Sequence, residues 1–192
     1  MKALIICAML IFYYANANAG PFGTNMGDTT GQYSNLVQVY KDDKNTFATD
    51  TVPNKHGDFQ SYLLVFSQTY GLVRISAMSN PIRDDEYGNN TRVLFAKIKD
   101  QLCKKYGKEK KFYDFLKNGS IWKEDKYWST GIRKHEREYS AFWELKDNED
   151  KISFIRLKVL SNPGQNTLLL TYEYIDAKKH YEEKKQEEAG AL

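Results

Sequence analysis

The sequence predicts an α+β domain in which one main amphipathic helix packs on one face of an antiparallel sheet. Two observations lead to this fold class. Residues 91–107 carry apolar side chains at helical spacing, and the segments on either side of them have the length and composition of strands. The strands before the helix form a hairpin and those after it form a three-stranded meander, which together give the sheet that the helix covers.

The first part of the chain, residues 1–19, has the pattern of a secretory signal. Lys2 precedes a short apolar run from Ala3 to Tyr14, and Ala17-Asn18-Ala19 has the small residues that a signal peptidase accepts. The run is shorter than the roughly 20 apolar residues that a membrane-spanning helix needs. We therefore expect a bacterial protein that is exported to the periplasm or secreted, with residues 20–176 as a single domain and no membrane anchor after cleavage.

Composition excludes some partners and favours others. The formal charge of +3 falls to +2 without Lys2, which is too close to balance to indicate nucleic acid or an anionic membrane as the partner. Once Cys7 leaves with the signal, Cys103 is the only thiol, so no disulfide can form within the chain. The 14 tyrosines and 10 phenylalanines indicate a core or a binding surface built on aromatic side chains.

The segments before the helix give a hairpin. Residues 22–40 can form a short helix and a turn, and Lys41 to Gly57 has the composition of a loop. Phe59–Phe66 and Leu72–Met78 are short, aromatic and β-branched, and Gly71 relieves the turn between them. This part of the chain therefore predicts two antiparallel strands.

The predicted main helix, residues 91–107, has one apolar face. Lys104 and Lys105 lie in its last turn, where the helix dipole favours cations, and Gly107 follows as a cap that accepts a left-handed backbone. A helix with a single apolar face needs a sheet or another helix to cover it. The side chains that share this face are Leu94, Phe95, Ile98, Leu102 and Tyr106.

The segments after the helix predict a short helix, three strands and a charged end. A weak helical pattern covers Glu124–Lys134, although Gly131 lowers its helix propensity. Alternating apolar residues predict strands at Glu138–Leu145, Ile152–Leu160 and Thr167–Ile175, which are separated by turn residues. Residues 177–192 are rich in Lys and Glu and predict either a solvated helix or a frayed tail.

Aromatic residues between the helix and the meander are interleaved with lysines. Aromatic side chains and long cations are concentrated at protein interfaces, so this segment predicts a binding surface with two arginines on its rim. The same aromatic residues would also serve as core between helix and sheet, and both interpretations stay open. The predicted binding residues are Phe112, Tyr113, Trp122, Tyr127, Trp128, Arg133 and Arg137.

The sequence contains no catalytic motif, and an enzyme is the alternative rather than the leading interpretation. A small secreted hydrolase would use His135 with Glu136 or Glu138, or would use Cys103. The alternating charges around His135 are equally typical of a solvated strand edge, and Cys103 lies at the margin of the apolar helix face. A reactive Cys103 would also allow a disulfide-linked dimer.

The histidines and carboxylates lack the spacing of zinc or calcium ligands. We therefore expect neither a metal nor a cofactor.

The helix end Lys104-Lys105-Tyr106-Gly107-Lys108 and the aromatic segment after it resemble small exported bacterial proteins in which a helix packs on an antiparallel sheet. Residues 22–29 look like the Gly-Met-Ser/Thr segment that opens such domains, with Met26 and Gly27 out of the usual order. The resemblance is to the outer-membrane assembly lipoproteins related to BamE and to β-lactamase-inhibitory proteins. It implies a soluble binding protein that acts by protein contact, as an inhibitor or an envelope assembly factor.

Overall fold

The computed structural model describes residues 20–41 and 43–190. The predicted signal segment lies outside the described residues. The described chain has an α+β fold with nine strands in one sheet. The strands are β1 (Val37–Gln38), β2 (Thr46–Thr49), β3 (Phe59–Ser67), β4 (Gly71–Ser79), β5 (Ile82–Arg83), β6 (Lys111–Leu116), β7 (Arg137–Glu144), β8 (Ile152–Asn162) and β9 (Gln165–Tyr174). The helices are α1 (Asn89–Tyr106), α2 (Trp128–Arg133) and α3 (Ala177–Gly190).

The sheet is larger than a hairpin plus a three-stranded meander. Its order is β1-β2-β3-β4-β9-β8-β7-β6, with β5 also paired to β9, and every pairing is antiparallel. The predicted hairpin is β3 and β4, and the predicted meander is β7, β8 and β9. The two parts become one sheet because β9 pairs with β4. The predicted loop at Lys41–Gly57 was wrong in part, since it contains β2, which pairs along β3.

Helix α1 begins and ends close to its predicted bounds. At its start the buried Asp85 carboxylate accepts hydrogen bonds from the backbone N–H groups of Asn90 at 3.2 Å and Thr91 at 2.8 Å. At its end the Gly107 N–H donates to the Cys103 carbonyl at 2.9 Å, and Gly107 has a positive φ of 84°. The expected glycine cap is therefore present, whereas the carboxylate at the start lies four residues before the helix and was not predicted.

The core lies between the sheet and helices α1 and α2. Phe95, Ile98 and Leu102 of α1 and Ile132 of α2 are buried in one cluster with alternate residues of the central strands. These strand residues include Ala141, Trp143, Ile155, Leu157, Val159, Leu168 and Leu170. We refer to this side of the sheet as the inner face, and to the opposite side as the outer face.

Helix α3 lies against the outer face, so helices cover parts of both faces. Its Ala177 packs with Val65 and Val73, and Val65 alternates with the inner-face residue Leu64. The guanidinium of Arg74 lies 5.7 Å from the centre of the Tyr181 ring. The lysine- and glutamate-rich end predicted as a solvated helix or a frayed tail is therefore a helix with one docked side.

Candidate functional site

Strand β6 forms one edge of the sheet, and no described strand pairs with its outer side. Just beyond β6, the N–H of Lys117 donates to the Glu136 carbonyl at 2.7 Å in the same register as the β6–β7 pairs. Hydrogen-bonded pairs recur at every second residue of an antiparallel ladder. The N–H groups of Tyr113 and Phe115 therefore point toward β7. Those of Phe112, Asp114 and Leu116 point away from the sheet.

Two phenylalanines of β6 are exposed on opposite sides of this edge. Phe112 is 43% exposed and Phe115 is 46% exposed. Phe112 lies on the inner face, where its ring is 5.4 Å from that of Tyr139, while the register places Phe115 on the outer face. Sheet edges are normally protected by charge, a bulge or a covering element. An edge strand with exposed aromatic side chains on both faces is therefore suited to contact another chain.

The outer face beside β6 carries a row of aromatic rings, which we name the outer aromatic cluster: Tyr113, Phe115, Phe142 and Phe154. Ring centres are 6.0 Å apart for Tyr113 and Phe115, 5.5 Å for Tyr113 and Phe142, and 5.8 Å for Phe142 and Phe154. The Arg156 guanidinium lies 5.2 Å from the Phe142 ring centre. A cavity of about 220 Å³ opens among Tyr113, Phe142 and Phe154.

Tyr113 is among the binding residues predicted from the sequence, whereas Phe142 and Phe154 are not. Each of these phenylalanines is next to a buried inner-face residue, Ala141 and Ile155 respectively. Because strand side chains alternate between faces, that position already indicates the outer face. The pairing of β6 with β7 and of β7 with β8, which brings the rings together, could not be deduced from alternation.

The structure separates the tryptophans that the sequence grouped. Trp122 is half-buried, and its ring centre lies 5.3 Å from that of Tyr127. The ammonium nitrogen of Lys126 lies 4.9 Å from the centre of the Tyr127 ring. Trp128 is completely buried in the core. The structure thus places this predicted binding residue in the core, where its ring is enclosed by Tyr139, Arg92 and the backbone of Gly88.

The two predicted rim arginines lie in a cleft that we name the basic cleft. It has a volume of about 470 Å³ and forms between α2, the start of β7 and the end of β8. The basic residues that line it are Lys117, Arg133, His135, Arg137 and Lys158, and among the described residues Glu138 is the only carboxylate in the lining. Arg133 and Arg137 are therefore close to each other, but in a different place from the half-buried pair Trp122 and Tyr127.

His135 has a clear backbone role at the end of α2. Its φ is 57°, its N–H donates to the Ile132 carbonyl at 2.9 Å, and the Glu136 N–H donates to the Gly131 carbonyl at 2.9 Å. These two bonds close the helix in a Schellman motif, in which the left-handed position is usually glycine. The exposed His135 side chain stands at the mouth of the basic cleft.

Glu138, one of the two carboxylates predicted to act with His135, is held in its ionised form. Burial alone would raise its pKa, but the hydrogen bond from Ser140 at 2.6 Å and the charges of Lys158 and Arg156 outweigh burial and lower the pKa. A carboxyl group with a lowered pKa is a poor general acid near neutrality. The surroundings of Glu138 therefore favour a structural ion pair.

Cys103 lies on α1, away from the lining of the basic cleft, and its thiol donates to Glu109 across 3.3 Å. Burial raises the pKa of the thiol, and the hydrogen bond to Glu109 raises it further. Glu109 is in turn paired with Lys99 at 2.8 Å. The structure thus does not bring Cys103 and His135 into one site, and it gives Cys103 the surroundings of a weakly nucleophilic thiol.

We predict that Cys103 reacts slowly with iodoacetamide at neutral pH and that its rate continues to rise above the ordinary thiol pKa of about 8.5. Glu109→Gln should increase the neutral-pH rate several-fold, because it removes the negative charge that disfavours the thiolate. Alkylation rates measured across pH by mass spectrometry test this. Glu144→Gln, which alters an exposed carboxylate paired with Lys110, is the matched control and should leave the rate unchanged. Equal rates for Glu109→Gln and the parent chain would contradict the prediction.

The described residues contain no cluster of three or more His, Cys, Asp or Glu residues with the geometry to hold a metal ion. Within the same part of the chain, no helix combines the length and the apolar character that crossing a membrane requires.

Comparison of the chain with protein families, with curated proteins and with solved structures finds no match. The resemblance to BamE-related and β-lactamase-inhibitory proteins therefore stays a prediction.

Proposed function

We propose that the mature chain is an exported binding protein that acts by protein contact, and that it holds an extended segment of its partner along the free edge of β6. The observation that carries this proposal is the edge itself: β6 ends the sheet and exposes Phe112 and Phe115 on its two faces. An inhibitor or an envelope assembly factor would use such a surface in the same way.

The backbone of β6 supplies the first part of the interaction. The outward N–H groups of Phe112, Asp114 and Leu116 and the carbonyls between them form a row of hydrogen-bonding groups. A partner strand added to a sheet edge pairs with such a row, and its alternate side chains then enter pockets on the two faces. The backbone would therefore provide affinity for any extended segment, and the side chains around β6 would select among them.

The side chains around β6 favour a partner with apolar and acidic residues. On the outer face, the cavity beside Tyr113, Phe142 and Phe154 can accept one apolar side chain. Lys111 is the first residue of β6 and Lys117 follows its last residue. Within the described residues no carboxylate lies within 4.0 Å of either ammonium group. Acidic residues at the ends of the partner segment would complement these charges.

Asp114→Pro should weaken partner binding by at least about tenfold, since proline removes an outward N–H and places its ring where a partner strand would pair. The β6–β7 ladder should persist because the Asp114 N–H does not point toward β7. The matched control is Asp114→Thr, which removes the same carboxylate and keeps the N–H. The measurement is capture of partners by residues 20–192 from an envelope and culture-medium extract, with photo-crosslinking from position 115 to locate the contact.

The proposal requires one stoichiometric partner that crosslinks from position 115, binds the Asp114→Thr variant, and is lost with Asp114→Pro. A partner that binds the proline variant as strongly as the threonine variant would exclude pairing along β6. Capture of a second copy of the same chain would replace the expected partner by a dimer.

A further inference from the structure

The basic cleft exists because two neighbouring strands separate. β7 and β8 are paired from Ser140–Lys158 to Glu144–Phe154, and the pairing stops there. Both strands continue beyond this point, β7 back to Arg137 and β8 on to Asn162, and each keeps its other neighbour, β6 or β9. A gap thus opens inside the sheet rather than at its edge. Buried strands normally stay paired, since an unpaired backbone group costs free energy.

The lining of the gap carries buried hydrogen-bond donors as well as apolar side chains. The side chain of Arg137 is only 14% exposed, its Nε is buried without a hydrogen-bond partner among the described residues, and its Nη1 is 3.5 Å from Asp114. The Ser161 Oγ, also in the lining, is likewise buried without a partner in the described part of the chain. These buried donors are available to a group bound in the cleft.

The charges of the lining residues indicate which chemical class of group the cleft can bind. The lining carries four permanent positive charges, on Arg133, Arg137, Lys117 and Lys158, and one carboxylate, Glu138. Glu138 lies 3.4 Å from Lys158 and 3.4 Å from Arg156, and Asp114, which is outside the lining, lies 3.5 Å from Arg137. Two of the four cations thus have a carboxylate partner, but the cleft keeps a net positive charge that attracts an anion, and arginines bind oxyanions through paired donors.

The origin of the donors in several different elements favours a tetrahedral oxyanion. Arg133 comes from α2, Arg137 from β7, Lys158 and Ser161 from β8, and Lys117 from the segment after β6. Donors from several sides match the oxygens of a phosphate or sulfate group, which point in several directions, better than the two coplanar oxygens of a carboxylate. Apolar lining from Ile132, Phe115 and Leu160 leaves room for an organic group attached to the anion.

We infer that the basic cleft binds a phosphate or sulfate ester, with the oxyanion held by Arg133, Arg137 and Lys158 and the organic part against Phe115 and Leu160. This inference does not depend on the contact proposed along β6. The two sources of a tetrahedral oxyanion, a phosphomonoester and a sulfated sugar, share the same recognition chemistry and are separated by experiment.

The test is a titration of ¹⁵N-labelled residues 20–192 with phenyl phosphate, N-acetylglucosamine 6-sulfate and benzoate, each at constant ionic strength. We expect saturable shifts in the amides of residues 133–138 and 158–162, with dissociation constants around 1 mM for the isolated head groups. Arg133→Gln and, separately, Lys158→Gln should weaken binding at least about tenfold. Arg137 is left intact in these variants because its side chain packs against Gly131.

Lys126→Gln is the matched control, since Lys126 pairs with Glu124 outside the cleft, and it should bind as the parent chain does. Lys158→Gln should leave capture of the β6 partner unchanged, which separates this inference from the proposed function. The tighter of the two esters identifies the source of the oxyanion. The inference is overturned if neither ester shifts the cleft amides, if benzoate binds as tightly as the esters, or if Lys126→Gln weakens binding as much as Arg133→Gln.

Discussion

Trp128→Ala is expected to lower the free energy of unfolding by about 3–5 kcal/mol, the usual cost of deleting a fully buried large aromatic side chain. The Trp128 side chain is completely buried. Its ring packs against Tyr139 at a centroid distance of 5.5 Å, and the Arg92 guanidinium lies over it at 4.8 Å. Chemical denaturation followed by circular dichroism measures the change.

Trp122→Ala is the control for this prediction, because Trp122 is half-buried and contacts chiefly the neighbouring Tyr127. It should cost about 1 kcal/mol or less, the range of a partly exposed aromatic pair. If the two alanine variants were equally stable, Trp128 would not be the core residue described here. Loss of partner binding in Trp128→Ala alone would report unfolding and not a direct contact.

Gly88→Ala is expected to destabilise the fold by about 3 kcal/mol through two effects that add. Gly88 has a φ of 72°, which strains any residue with a Cβ, and a Cβ built there would overlap the ring of Trp128. That ring is enclosed and cannot move aside without disturbing the core. The start of α1 and the start of α2 would therefore separate. The measurement is the shift of the denaturation midpoint, which reports a change in stability when the slope of the unfolding free energy against denaturant concentration, the m-value, is unchanged.

Gly164→Ala is the control for Gly88→Ala, because it tests the backbone strain without the steric overlap. Gly164 also has a positive φ, 73°, but a Cβ there would have no neighbour within 4 Å. Only the conformational cost of about 1 kcal/mol should remain. A Gly88→Ala variant no less stable than Gly164→Ala would show that the Trp128 ring does not restrict Gly88.

The elements that the sequence predicted well are those whose burial is regular. In α1, β3, β4, β8 and β9 the apolar residues recur with the period of the element, so local pattern and tertiary burial agree. The short strands were missed for the opposite reason. β5 has two residues and exists because it pairs with β9, and β6 exposes apolar side chains on both faces, which erases alternation.

The candidate sites depended on contacts that sequence patterns do not contain. Nothing in the composition around Trp122 and Trp128 distinguishes a half-exposed ring from a buried one; the difference arises because Gly88 and Tyr139, far apart in sequence, enclose only Trp128. Arg133 and Arg137 were predicted as a rim. Their shared cleft follows from the separation of β7 and β8, a property of pairing between strands.

The measurement that tests the central claim most directly is amide hydrogen exchange along β6, by NMR, in the free chain and with the captured partner. In the free chain, the amides of Phe112, Asp114 and Leu116 should exchange fast and those of Tyr113 and Phe115 slowly. Partner binding should slow exchange at the three outward amides. If a saturating partner leaves these three amides fast while it protects another surface, the proposal that β6 holds the partner segment is contradicted.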